Sequence, residues 1–468
     1  MPIQGHRQWL LKTGQPFWYE TEYVICPDDG YYNMGISRMY TVLSTGQYSG
    51  TTNITVNAKT DVHSNNCVLD ERTGLMWTRY NTASVGPNSD GRLYWDNHVA
   101  SLPFTKGGGY VDFQVGENVQ QAVTTAQGTI RYVDNTNGIM WLENVGGTFN
   151  YVNQITGSLG GGPATPTSYT APAKEDIWEY LRVANSNGLA GYTDWRVPNV
   201  MELASLVTIG NSNGAPNTAI FPSLNTTGYF WTGTVVGSPG LNAVTILFLT
   251  AALTTKEKAG TTGYLLLVRG PDLSSWRPCR PLVSGQYRQS VAFPDDGMLQ
   301  LGRPRALELL TTDAQSGTTN ITLNGKTCTM SNNLVLDRNT GLMWTRDVSS
   351  SVGPNSDGNL YWLDTSLERE DIWEFLRLAN EAGLAGYRDW RIPNAFEILS
   401  VCNFANASSN LDGNYFNSAG ANFWSSTTKP NDRTCAFRMS TGYGSGVVKS
   451  TSLNPVRLVR GGHTDADL

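Results

Sequence analysis

Short apolar runs alternate with turn residues along most of this chain. In "VLDERTGLMWTR" (Val68 to Arg79), Val68 and Leu69 form an apolar run that stops at Asp70. Asp70-x-x-Thr73-Gly74 then has the chemistry of a tight turn, because Asp bonds its own backbone and Gly takes positive φ. Leu75 to Trp77 returns as the partner strand, so the pattern predicts a β-hairpin. The same frame recurs as "VLDRNTGLMWTR" (Val335 to Arg346), with changes confined largely to the turn tip. Asp70, Gly74, Trp77, Asp337, Gly341 and Trp344 therefore read as structural. A longer period governs Glu175 to Leu203 and Glu370 to Ile398. There Ile177, Leu181 and Ala184, with Trp178, share one helical face, and "NGLAGY" supplies a glycine stop. Asn199 and Asn394 are placed as N-caps of a second short helix, with Glu202 and Glu397 completing capping boxes. Between the helices stand Trp195-Arg196 and Trp390-Arg391. Each reads as a buried Trp beside an Arg that reaches a carboxylate or backbone carbonyls. The apolar Ala243 to Leu253 reads as a buried strand, too short to span a bilayer.

These matches order the chain as a tandem duplication. Ser49 to Trp95 aligns without a gap on Ser316 to Trp362. "CPDDGYYNMGISR" (Cys26 to Arg38) matches "FPDDGMLQLGRPR" (Phe293 to Arg305), and each copy closes on Phe-Trp and then "VRG". The predicted division is a leader over 1–15 that serves as a docking segment and a first domain over 16–270. A linker over 271–282, a second domain over 283–461 and a tail over 462–468 follow. The first domain carries an insertion over 96–174. Within it "YVDNTNGIMWLEN" repeats the hairpin spacing through Asp134, Gly138, Met140 and Trp141, between flanks that read as Gly/Pro/Ser/Thr loops.

Composition narrows the class. Charged residues are only 15% of 468, the net charge is −6, and there are 49 Gly and 14 Trp, as in a strand-rich, loop-rich globular protein. With no Lys/Arg cluster, a nucleic-acid face is not expected, and no membrane insertion is expected either. The opening "MPIQGHRQWLLKTGQPFW" holds no apolar run of signal-peptide length. The six cysteines form no CxxC pair and none recurs between copies, so buried thiols are expected, with a Cys402–Cys435 bridge as the alternative. No HExxH, GxSxG or phosphate-loop motif occurs, and the four histidines form no constellation. An enzyme is not expected.

The motifs resemble the Lcl C-terminal domain family, named from a bacterial collagen-like adhesin. They are "LKTGQ", "DGYYNMG", "D-x-x-TGLMW", "GYxDWR" with "PN" and a following Glu, "FW" and a closing "VRLVRG". The resemblance covers both copies, although the insertion and "LVSGQ" (Leu282 to Gln286) depart from the pattern. It implies an extracellular or virion-borne module, and for the named adhesin a domain that binds sulfated glycans. By analogy it implies an α+β fold: tandem, β-rich, C-type-lectin-like domains, each with two short helices against a twisted antiparallel sheet.

Function is then expected where the copies diverge. The unmatched loops of copy two are dense in Asn, Ser, Asp, Tyr and Gly, a composition that suits adaptable hydrogen bonding around aromatic anchors. The candidate ligand-binding residues are Asn403, Asn406, Asn410, Asp412, Asn414, Tyr415, Asn417, Lys429, Asn431, Asp432, Arg433 and Tyr443. "PDDG" offers Asp28, Asp29, Asp295 and Asp296 as calcium ligands, or as plain turn residues; no other cofactor is expected. The expected function is that of a non-enzymatic phage virion protein, a tail or capsid fibre or receptor-binding protein that binds host-surface glycan. It would associate with itself, as a trimer, and with other virion proteins. A bacterial surface adhesin and a virion cement protein without sugar binding are the alternatives.

Overall fold

Each repeated dozen forms the hairpin that its turn residues demand. Cys67–Asp70 pairs antiparallel with Met76–Thr78, and Leu334–Asp337 pairs with Met343–Thr345. In both turns the Asp Oδ1 accepts a backbone N–H two residues on, Gly N–H donates to the Asp carbonyl, and the glycine has positive φ (77° at Gly74, 74° at Gly341). One strand on each side completes a four-stranded sheet: Tyr40–Leu43 and Val268–Arg269 in unit one, Leu307–Leu310 and Val459–Arg460 in unit two. A separate hairpin precedes each sheet's central strands, Thr51–Val56 with Lys59–Ser64 and Thr318–Leu323 with Lys326–Ser331. The coordinates are a computed structural model. It describes the chain except residues 1–9, 14, 16–18, 21–24, 27–28, 30–33, 97–99, 170–174, 210–213, 237–241, 271–278, 280, 283, 285, 287–294, 367, 405–410, 419–421, 430–431, 433, 441–442 and 463–468.

The helices form as their caps predict. Ile177–Ser186 and Ile372–Ala382 start on Asp176 and Asp371, whose side chains accept two backbone N–H groups each. The short helices Val200–Ala204 and Ala395–Val401 have complete capping boxes between Asn199 and Glu202 and between Asn394 and Glu397. Their packing overturns the expected α+β, C-type-lectin-like layout. The long helix lies against the Thr51–Val56 hairpin, whereas the short one lies against a different, three-stranded sheet (Tyr229–Val236, Asn242–Leu247, Ala252–Glu257). Strands of mostly two to six residues, each ended by a turn, build many small sheets rather than one twisted platform for two helices. The predicted Ala243 to Leu253 strand is in fact interrupted by a 3₁₀ turn at Phe248–Thr250, with Ala251 in left-handed conformation.

The insertion departs further from expectation. It closes a six-stranded antiparallel barrel from Ala100–Val111, Asn118–Gln121, Gln127–Asp134, Ile139–Gly146, Ile155–Gly157 and Gly162–Pro166. The flanks read as Gly/Pro loops supply two of its walls. Ala100, Leu102 and Phe104 point inward on alternate positions and meet Val119, Ile130, Met140, Leu142 and Ile155.

Two segments cross between the units. Leu11 and Ile36 bridge each other, as Leu282 and Arg303 do, so each segment preceding a unit's first sheet strand is a folded-back clasp. Each clasp is anchored to its own unit through the carbonyls of Thr13 and Ser284, which accept from Ile209 N and Phe404 N at 2.7 and 2.9 Å. Its side chains reach the other unit. Gln15 Oε1 accepts from Thr428 N (2.8 Å), and Asp29 Oδ2 accepts from Thr427 Oγ1 (2.9 Å) and from Thr13. In return Gln286 Oε1 accepts from Val235 N (2.6 Å), and Asp296 Oδ2 accepts from Thr234 Oγ1 (2.7 Å) and from Ser284. One apolar cluster continues through this junction, with Leu75, Trp77, Leu203 and Phe230 of unit one and Leu342, Trp344, Ile398 and Phe423 of unit two. Among the described residues no helix is long and apolar enough to cross a membrane.

Candidate functional site

The recurring residues are engaged inside the fold. Trp195 and Trp390 are buried and donate their ring N–H to Leu189 O (2.8 Å) and Leu384 O (3.0 Å). Arg196 forks onto Glu202 at 2.6 and 2.7 Å and also donates to Gly270 O. Arg391 does the same with Glu397 and Gly461 O. Burial raises the carboxyls of Asp70 and Asp337 above the usual range, against the pull of their turn hydrogen bonds. Trp77 and Trp344 are fully buried in the shared apolar cluster. These positions offer nothing to an external ligand.

The "PDDG" acids lie in the clasps. Asp29 and Asp296 are buried and take hydroxyl hydrogen bonds from both units. Asp295 caps the single turn Asp296–Leu299 through Met298 N and accepts from Gln286 Nε2 at 3.2 Å. Asp28 lies outside the described residues. Among the described residues no group of three or more His, Cys, Asp or Glu side chains is arranged to hold a metal ion. Desolvation pushes the Asp296 carboxyl up to about 7 despite its bonds to Ser284 and Thr234.

The unmatched residues of unit two lie on several separate stretches of the chain. Asp412, Asn414, Tyr415 and Asn417 share one loop. Asp412 accepts from Asn414 N (3.0 Å) and its carbonyl takes Tyr415 N and Phe416 N. Asn417 Nδ2 donates to Asp347 Oδ1 (2.6 Å), which fixes the loop's exit, and Asn414 projects into solvent. Asn403 sits just after the short helix, where Phe404 meets the clasp. Lys429 and Asp432 form the turn between Phe423–Thr428 and Cys435–Ser440, where Asp432 accepts from Thr434 and Cys435. Tyr443 pairs with Ser440 at the next turn. Asn406, Asn410, Asn431 and Arg433 lie outside the described residues.

One residue that supports the Asn414 loop was missed in the sequence. Arg457 is fully buried and donates to Thr345 O (2.6 Å), Arg346 O and Asn417 O (2.7 Å), between the rings of Phe416 and Phe423. Burial lowers its guanidinium to about 9, partly offset by the charge of Asp347. The signal was present: "VRLVRG" in unit two stands against "LLLVRG" in unit one, so Arg457 replaces Leu266 just before the closing strand. Unit one holds its equivalent loop differently, through Arg79 to Ile220 O and Ala219 O.

Cys402 and Cys435 are not bridged; Cys67, Cys279, Cys328, Cys402 and Cys435 are buried and form no disulfide. His63 lies in a closed cluster in which Tyr180 Oη donates to Asp61 Oδ2 (2.7 Å) and lies 3.1 Å from His63 Nδ1. With His63 only 3% exposed, no substrate reaches it.

A family model described as the Lcl C-terminal domain matches residues 128–269 and 333–460, together more than half of the chain. The second match begins at unit two's hairpin, but the first begins inside the barrel. There Asp134 Oδ1 accepts from Thr136 N and Asn137 N at 3.0 Å and Gly138 N donates to Asp134 O, the same turn as at Asp70. The barrel hairpin thus stands in for Val68 to Arg79 along the chain, while in space the Val68 hairpin occupies the equivalent place. No curated protein and no solved structure matches the chain.

Proposed function

We propose that this chain, which belongs to the Lcl C-terminal domain family, is a non-enzymatic display protein that binds host-surface glycan, carried on a phage virion. Membership supports a surface or adhesin-like role, and the family is not a known enzyme family. The finer reading rests on one observation. Residues that recur between units are spent on turns, caps and buried ion pairs. The unmatched Asn414–Asn417 loop is mounted on a buried arginine that unit one lacks and presents polar side chains outward. Rigidly seated loops with Asn, Asp and Tyr suit sugar hydroxyls. Glycan arrays with the purified chain test this, together with electron micrographs of phage particles labelled by antibody to it. Binding that drops in Asn414→Ala/Asn417→Ala is expected. A chain that decorates particles but binds no glycan would make it a cement protein, and labelling of bacterial cells alone would make it a cellular adhesin.

A further inference from the structure

The barrel carries a groove on its outer wall. Three antiparallel strands meet there in register: Asn118 pairs with Thr129 and Gln120 with Gln127 on one side, while Val119 pairs with Gly157 and Gln120 with Thr156 on the other. Because side chains alternate between faces, Val119 points into the barrel core, and the rung Gly128–Val119–Gly157 presents only backbone outward. The flanking rungs rise on either side. One is Thr129, Asn118 and Ser158; the other is Gln127, Gln120 and Thr156. Together they enclose a cleft of about 420 Å³, inside the range of small-ligand sites.

The lining is chemically uniform: Asn, Gln, Thr and Ser side chains, backbone amides and no ionised group. The first rung is held in place. Thr129 Oγ1 donates to Asn118 Oδ1 (2.7 Å), Asn118 N donates to Ser158 Oγ (3.1 Å), and Ser158 N donates to Asn118 O (2.8 Å). The second rung holds the Gln120 and Gln127 amides and the Thr156 hydroxyl, which among the described residues make none of the fold's own side-chain bonds. Each amide offers two donors and an acceptor. We propose that this groove is a second binding site, for a neutral oligosaccharide whose hydroxyls pair with Gln120, Gln127 and Thr156 while the first rung sets its register. It deepens the glycan reading but places recognition on the insertion, and its uncharged wall selects against sulfated or acidic sugars.

The test is titration of the intact chain with neutral hexasaccharides of glucose, mannose, galactose and N-acetylglucosamine, and with sulfated hexasaccharides. Three variants accompany it: Gln120→Ala/Gln127→Ala, Thr156→Trp, and Asn414→Ala/Asn417→Ala. The groove positions face water, so the barrel core is untouched, and circular dichroism verifies this. A neutral sugar is expected to bind, to weaken about tenfold in the double glutamine variant, to be excluded by Thr156→Trp, and to keep its groove binding in the loop variant, which loses only the glycan held by the Asn414–Asn417 loop. Binding only to sulfated sugars, or neutral binding that follows the loop and ignores the groove, overturns the groove while leaving glycan recognition standing. Binding to no sugar at all overturns both.

Discussion

Glu397 holds two structures at once: its carboxylate receives the Arg391 fork and also closes the capping box of its own helix through Asn394 N at 2.9 Å. Arg391 and Glu397 side chains are 6% and 4% exposed, so neither charge has water to fall back on. Removing one partner of such a pair costs about 3–5 kcal/mol. Glu397→Gln is expected to lower unfolding stability in denaturant by that order, and Arg391→Met with Glu397→Leu to recover part of the loss. The Asp61, His63 and Tyr180 cluster argues in the other direction. Unit two fills the matching places with Cys328, Met330 and Phe375, all apolar and buried. Tyr180→Phe alone strips Asp61 of a hydrogen bond and is expected to cost roughly 1–3 kcal/mol. The triple replacement Asp61→Cys, His63→Met, Tyr180→Phe removes every polar group together and is expected to fall within about 1 kcal/mol of the parent. A triple variant as unstable as the sum of its singles would contradict this account.

Local elements were legible because their causes are local. Asp70-to-Gly74 turns, the Ile177 face and the Asn199 and Asn394 caps each need only neighbours within a few residues, and the sequence shows them. The barrel was not legible, since closure depends on Ala100–Val111 meeting both Ile139–Gly146 and Gly162–Pro166, pairings that no local spacing encodes. Arg457 was hidden for a similar reason: a charge beside a short closing strand is informative only once Thr345, Arg346 and Asn417 are seen around it. Its role as a loop support is testable at this scale. Arg457→Leu, the unit-one residue, removes the arginine's donors from three carbonyls and is expected to raise amide exchange at Tyr415 to Asn417 while leaving the Thr318–Leu323 hairpin protected. The clasp turn makes a pH prediction. Asp296 has a folded pKa of about 7, held up by burial and by Glu202 and Asp295 nearby, against about 3.9 when unfolded. The folded state therefore binds the extra proton between those values, and Asp296 contributes stability that is complete below about pH 4 and lost as pH rises through 7. Because Asn cannot titrate, the stability of the parent relative to Asp296→Asn should fall across that window. A flat difference would place the proton elsewhere.

The reciprocal clasps make the molecule one assembly instead of two beads. Gln15 and Asp29, the latter bonded by Thr13, serve strand Phe423–Thr428 of the far unit, and Gln286 and Asp296, the latter bonded by Ser284, serve Tyr229–Val236. One apolar cluster around Trp77 and Trp344 draws its residues from both halves. A repeat reveals the duplication but not the exchange, because each clasp motif looks the same whether it serves its own unit or its neighbour. Severing the chain between Gly270 and Pro271 separates the alternatives. Each half then keeps an acceptor strand and a donor clasp, but the clasp that serves its strand lies in the other half. Co-expressed halves are expected to purify as a one-to-one complex, weakened by Gln15→Ala and Gln286→Ala together, since each glutamine is the acceptor for a buried backbone N–H across the junction. The second half alone is expected to dimerise, because its own clasp matches the acceptor strand of another copy. Light scattering after size exclusion reads both outcomes. Two monomeric halves, each unfolding as late as the intact chain, would mean that the crossing bonds hold nothing that each unit does not supply for itself.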